Sequence, residues 1–82
     1  MTLYDAFALR TDHDLDVVAL HEALEKMARL DERQANVVEL RLFGGLTTEE
    51  TARMLDVSTR TVDRDWKMGQ AWLRRELSEG DR

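Results

Sequence analysis

The chain has no cysteine and no proline, and only four of its 82 residues are glycine. Without cysteine there is neither a disulfide nor a thiolate metal site. Without proline, nothing in the chain forbids long uninterrupted helices. No apolar run approaches the 18 residues that a membrane-spanning helix needs, and no charged-then-apolar leader opens the chain, so a cytoplasmic protein with no membrane partner is expected. At 82 residues there is room for one domain. A domain this small buries only about 60–65% of its unfolded surface. Several helices can share such a core, but a deep substrate pocket is not expected, and neither is an enzyme. No nucleophile–base pair, metal-ligand spacing or glycine-rich cradle appears. His13 and His21 stand eight residues apart with no cysteine nearby, which is no metal-ligand spacing, so no cofactor or metal is expected.

What is there is charge, unevenly placed. The net charge is −5. Residues 1–30 and residues 31–57 each carry three basic and six acidic side chains, whereas residues 58–82 carry six basic and five acidic. One cationic end can bind a polyanion while the rest of the molecule repels it.

Apolar periodicity divides the chain into four helices. Residues 1–15 have no clean period and read as a linker or partly ordered segment, whose Leu3, Tyr4, Phe7 and Leu9 could dock on the body or on a second copy. From about Asp16 to Arg29, the residues Leu20, Ala23, Leu24, Met27 and Ala28 follow the stripe of an amphipathic helix, with Asp14 or Asp16 as its cap. A second helix is predicted from Asp31 or Glu32 to about Phe43, with Ala35, Val38 and Leu42 in its buried row and Val37 and Leu40 widening it. Gly44-Gly45 stops it, since glycine takes the left-handed conformation at no steric cost. The pair is not a phosphate loop, because no GxxxxGK[ST] pattern or flanking strand accompanies it.

Thr47 and Glu50 have the spacing of a capping box, so a third helix is predicted to start at Thr48 and to end near Leu55. Asp56 suits a left-handed turn position, Val57 can plug the core, and Ser58 caps the next helix. The fourth helix is predicted over Thr59–Leu77. At about 100° per residue, Val62, Trp66, Gly69, Leu73 and Leu77 fall in one narrow stripe. Arg60, Arg64, Lys67 and Arg74 fall on the opposite side with Asp63 among them, and Met68 and Trp72 lie between the two faces. Residues 78–82 are expected to fray. The expected fold is all-α: a four-helix domain over residues 16–77, without a wing, whose last two helices form a helix-turn-helix. In such a unit the second helix enters the major groove of DNA.

Three stretches of this sequence resemble the C-terminal domain, region 4, of bacterial sigma-70 family factors, and most closely the extracytoplasmic-function (ECF) group. They are LDERQ at the start of the second helix, the box GGLTTEETA, and VSTRTV leading into a helix that ends WLRREL. The resemblance implies a transcription initiation factor of the bacterial nucleoid. In such factors this domain binds the double-stranded promoter −35 element and docks on the β flap of RNA polymerase, and an anti-sigma protein often holds it inactive. The sequence departs from the pattern in three places. Asp63 stands where lysine is common, Asp56 replaces a frequent turn glycine, and Glu32 replaces a frequent proline. No counterpart of the domain that opens the −10 element is visible, so either an excised domain or a free-standing relative is expected.

Carried onto residues, this reading makes Arg60 and Arg64 candidates for guanine O6/N7, and Asp63 a candidate acceptor from a cytosine amine. Ser58, Thr59 and Thr61 suit phosphate or base-edge hydrogen bonds. Thr47 and Thr48 offer hydroxyls and backbone N–H groups at a positive helix end. Lys67, and more distantly Arg74 and Arg75, would contact flanking phosphates. The bland alternative pairs these cations with Asp63, Asp65 and Glu76 on a solvated face. Two other functions share the pattern: a helical interaction module for the polymerase flap, an anti-sigma factor or a second copy through the N-terminal segment, and a LuxR-type response-regulator output domain.

Overall fold

Asp31 is the single residue between the first two helices, and it begins the second. Its backbone is extended (φ −155°, ψ 97°), its carboxylate accepts from the N–H of Gln34, and its own N–H closes the first helix on the Met27 carbonyl at 2.7 Å. The computed structural model describes residues 17–80. It contains α1 (Val17–Leu30), α2 (Glu32–Leu42), α3 (Thr48–Leu55) and α4 (Thr59–Gly80), with no strand among the described residues. The fold is all-α, as the missing two-residue alternation foretells. The segment 1–15, with its apolar residues, and the cap candidates Asp14 and Asp16 lie outside the described residues.

Local chemistry accounts for most of the helix boundaries. The capping box is complete: Thr47 Oγ1 accepts from Glu50 N at 3.1 Å, and Glu50 Oε1 accepts from Thr47 N at 2.9 Å. α3 ends at Asp56, whose backbone is left-handed (φ 55°, ψ 48°). Aspartate tolerates that region better than most side chains. Ser58 then caps α4 by accepting from Thr61 N at 3.1 Å.

Two boundaries differ from expectation. α2 ends in a right-handed cap at Phe43, and of the two glycines only Gly45 has a positive φ (68°). Gly44 serves a different need, because a Cβ there would lie 2.6 Å from the Leu40 carbonyl oxygen. The pair thus divides close approach from left-handed geometry. At the other end, α4 continues through Ser78, Glu79 and Gly80 where a frayed tail was expected after Leu77. No proline or left-handed residue stops it there.

The core has two parts. The larger holds Leu20, Ala23, Leu24 and Met27 from α1, Ala35, Val38 and Leu42 from α2, and Leu73 from α4. The smaller joins Val37, Ala52 and Val62, with Leu55 and Val57 against it. Trp66 packs on both, so it is a core residue that ties α4 to the whole body. Gly69 lets α4 approach α2: a Cβ there would come within 2.5 Å of Val38 Cγ2, a fully buried methyl with nowhere to move. Gly69→Val should therefore destabilise the protein by about 1–3 kcal/mol through overpacking. Urea unfolding would show this as a lower midpoint at unchanged slope.

Candidate nucleic-acid interface

The turn of Asp56, Val57 and Ser58 sets how α4 leaves α3. The N–H groups of Asp56 and Val57 both return to α3, on Arg53 and Ala52 carbonyls at 3.4 and 3.0 Å. Val57 is half-buried against Val37, Ala52 and Val62. The start of α4 is therefore held on the core rather than hung on a loop. With Val62 and Asp65 buried on the inner side, the outer side of its first turns faces solvent.

That outer side is one shallow groove lined by Thr59, Arg60, Asp63, Arg64 and Lys67. Five of the nine predicted site residues thus come together. Arg60, Asp63, Arg64 and Lys67 are exposed and make no ion pair among the described residues. The solvated-face alternative pairs these cations with Asp63, Asp65 and Glu76; the last two are engaged elsewhere, and Asp63 shares the groove without an ion pair among the described residues. Asp65 is 2% exposed and receives Arg33 Nε of α2 at 2.7 Å. The hydrogen bond to Asp65 and then its charge push the Arg33 guanidinium above its ordinary range. Glu76 receives Lys26 Nζ of α1 at 2.7 Å. Both carboxylates are spent on holding α4 against α1 and α2, which leaves a groove with three cations and one anion.

The hydroxyl residues are more committed than their positions suggest. Ser58 Oγ accepts from Thr61 N and donates to Thr61 Oγ1 at 3.0 Å, so both of its functions serve the cap. Thr47 Oγ1 is an acceptor in the capping box, with only its own proton left to donate. Thr48 Oγ1 accepts from Arg41 Nη1. Neither Thr47 nor Thr48 lines the α4 groove. What α3 still offers an anion are the N–H groups of Thr48 and Glu49, beside two first-turn glutamates that oppose one.

Arg41 is the neighbour that sequence reasoning missed. Its guanidinium lies 5.1 Å from the centre of the Trp66 ring and bonds Thr48, so it pins the start of α3 to α4. Nothing local announces it, because its partners are seven and 25 residues away. Arg33–Asp65 had a signal: at about 100° per residue Asp65 falls beside the apolar stripe of α4 and not on the cationic side.

The backbone N–H of Thr47, and next its hydroxyl, hold the Glu50 carboxyl below the usual glutamate range. A depressed folded value stabilises above the unfolded value, and that contribution disappears as pH falls through the folded value. The capping box should therefore be intact at neutral pH and fail only below the ordinary glutamate range. Comparing melting temperatures of the parent and Glu50→Gln across pH would show a gap that closes on acidification.

Among the described residues no group of His, Asp and Glu could hold a metal ion, and no helix is long and apolar enough to cross a membrane. A second surface lies elsewhere. Leu24 of α1, Leu40 of α2, Phe43 and, from α3, Met54 and Leu55 line an apolar groove, with His21, Asn36 and Glu39 at its polar positions. In comparison with known proteins, residues 3–79 match a family model described as ECF sigma factor. No curated protein and no solved structure matches the chain.

Proposed function

The chain belongs to the ECF sigma factor family, a family of transcription initiation factors that work with RNA polymerase on promoter DNA, and on that premise we propose that residues 17–80 are its −35-reading domain, region 4. One observation carries the reading. The helix that follows a tightly held three-residue turn presents Arg60, Arg64 and Lys67 on one face, while Asp65 and Glu76, two carboxylates of the same helix, pair with Arg33 and Lys26 instead. In this reading α3 and α4 form a helix-turn-helix, and the first turns of α4 enter the major groove. Arg60 and Arg64, one turn apart, reach guanine edges, while Lys67 meets a phosphate. Thr59 lies at the mouth of the groove. Ser58 and Thr61 act mainly by fixing the helix start, Thr47 by closing the capping box, and Thr48, with Glu49, by presenting open N–H groups to a phosphate.

Selection of binding sites from random duplexes, followed by fluorescence anisotropy at two salt concentrations, tests the reading. With about four phosphate contacts, log K should fall against log[salt] with a slope near −3.6. A flat response, or no enriched sequence at low salt, would reject it. A LuxR-type output domain is a poorer fit, since the match over residues 3–79 is to the sigma family.

Docking on the polymerase would use the other surface. The groove between α1, α2 and α3 has the apolar lining on which a partner helix can lay its apolar face, and Met54 in it is 64% exposed. An anti-sigma protein would compete for either surface. Pairing of two copies through residues 1–15 is a separate proposal, and light scattering with and without that segment decides it.

A further inference from the structure

The α4 groove contains a carboxylate that no described residue pairs with. Asp63 is exposed, lines the groove with Thr59, Arg60, Arg64 and Lys67, and makes no hydrogen bond or ion pair among the described residues. Its neighbour Asp65 is different in kind, since it is buried and paired with Arg33. A helix that bound DNA by charge alone would gain from a neutral or basic side chain at residue 63, because a carboxylate there faces phosphates. We propose that Asp63 is the specificity-determining residue of the interface, and that it reads a cytosine amine beside the guanine taken by Arg60 or Arg64. The inference rests on the −35 reading above and deepens it.

The chemistry is restrictive. An ionised carboxylate only accepts hydrogen bonds. In the major groove guanine shows two acceptors, thymine an acceptor and a methyl, and adenine a donor next to an acceptor. Cytosine alone shows a donor with no acceptor beside it. Asp63 lies one turn from Arg60 and from Lys67 and lines the same groove as Arg64, so these side chains meet neighbouring base pairs. At guanine or thymine, Asp63 meets acceptors or a methyl and repels the groove edge as well as the phosphates, and at adenine the N7 acceptor beside the amine opposes it. It thereby weakens binding to unrelated sequences and widens the gap between correct and incorrect sites.

The test is parallel site selection with the full chain as parent, Asp63→Ala and Asp63→Asn. The parent should enrich sites with a fixed cytosine, and replacing that base should cost roughly 5- to 150-fold in affinity. Asp63→Ala should lose this preference at that one position, keep the others, and bind random duplex more tightly at low salt. Asp63→Asn should exchange cytosine for adenine, because asparagine matches adenine N6 and N7. Circular dichroism of the variants should be unchanged, since the side chain is exposed and bonds no described residue. A parent that binds with a defined site, and whose site is unaltered in both variants, overturns this inference alone. A parent that enriches no sequence overturns it together with the −35 reading.

Discussion

Arg60→Ala and Arg64→Ala should each reduce affinity for the selected duplex by roughly 5- to 150-fold, and the double variant should keep only the preference at the base that Asp63 reads. The loss follows from geometry and from desolvation. Each guanidinium can give two parallel N–H bonds to guanine O6 and N7, a fit that neither a truncated side chain nor water reproduces. Neither arginine holds the fold. Both are exposed, and neither is bonded to another described side chain, so melting temperature should stay within a few degrees of the parent. Lys67→Ala should behave differently. As a phosphate contact it should weaken all sequences about equally and reduce the salt slope by roughly one. Arg29→Ala, an exposed cation at the end of α1, serves as the control and should leave binding unchanged. Anisotropy with matched and random duplexes separates the three behaviours.

Leu73→Ala should cost about 2–5 kcal/mol, the range for a leucine buried in the core. Leu73 is 0% exposed and is the residue of α4 embedded among Leu20, Ala23, Leu24 and Met27 of α1 and Ala35, Val38 and Leu42 of α2. Truncation leaves a cavity at the junction of three helices, in a domain small enough for total stability to lie near the low end of the usual range, about 5 kcal/mol. The melting temperature should fall by at least about 10 °C. Leu73→Met, which nearly conserves volume, should cost less than about 1.5 kcal/mol. The consequence for the interface is indirect. Leu73 secures α4 about two turns beyond Lys67, so the variant should lose DNA binding in proportion to the fraction unfolded, and cooling should restore it.

Helix boundaries were legible wherever a cap or turn is a local event. Asp31, the Thr47–Glu50 box, Asp56 and Ser58 all act within four residues of themselves, and each does in the structure what its spacing implies. The core stripe of α4 was legible for the same reason, since period alone places Val62, Trp66, Gly69 and Leu73 together. What was not legible depends on partners far along the chain. Period turns Asp65 towards the apolar stripe, but Arg33 meets it across 32 residues and Lys26 meets Glu76 across 50, and no local rule names those partners. The pairs bear on the site, because they engage two of the three carboxylates that could neutralise the cationic face and leave Asp63 alone in it. The hydroxyls erred in the opposite direction. Period and residue type made Ser58, Thr61 and Thr48 look like free donors, whereas capping and Arg41 already engage them. Gly44 was legible as a stop but not as a site of close approach, which requires the position of the Leu40 carbonyl.

The central claim is that the start of α4, held on the core by its turn, is the surface that meets DNA. Titrating a selected duplex into isotopically labelled protein and following backbone amide resonances tests it residue by residue. The largest shifts should fall on Ser58–Lys67, with smaller ones at Thr48 and Glu49 and almost none along α1. Shifts concentrated instead around Leu24, Leu40 and Met54, or absent at a protein concentration where anisotropy reports binding, would contradict the account.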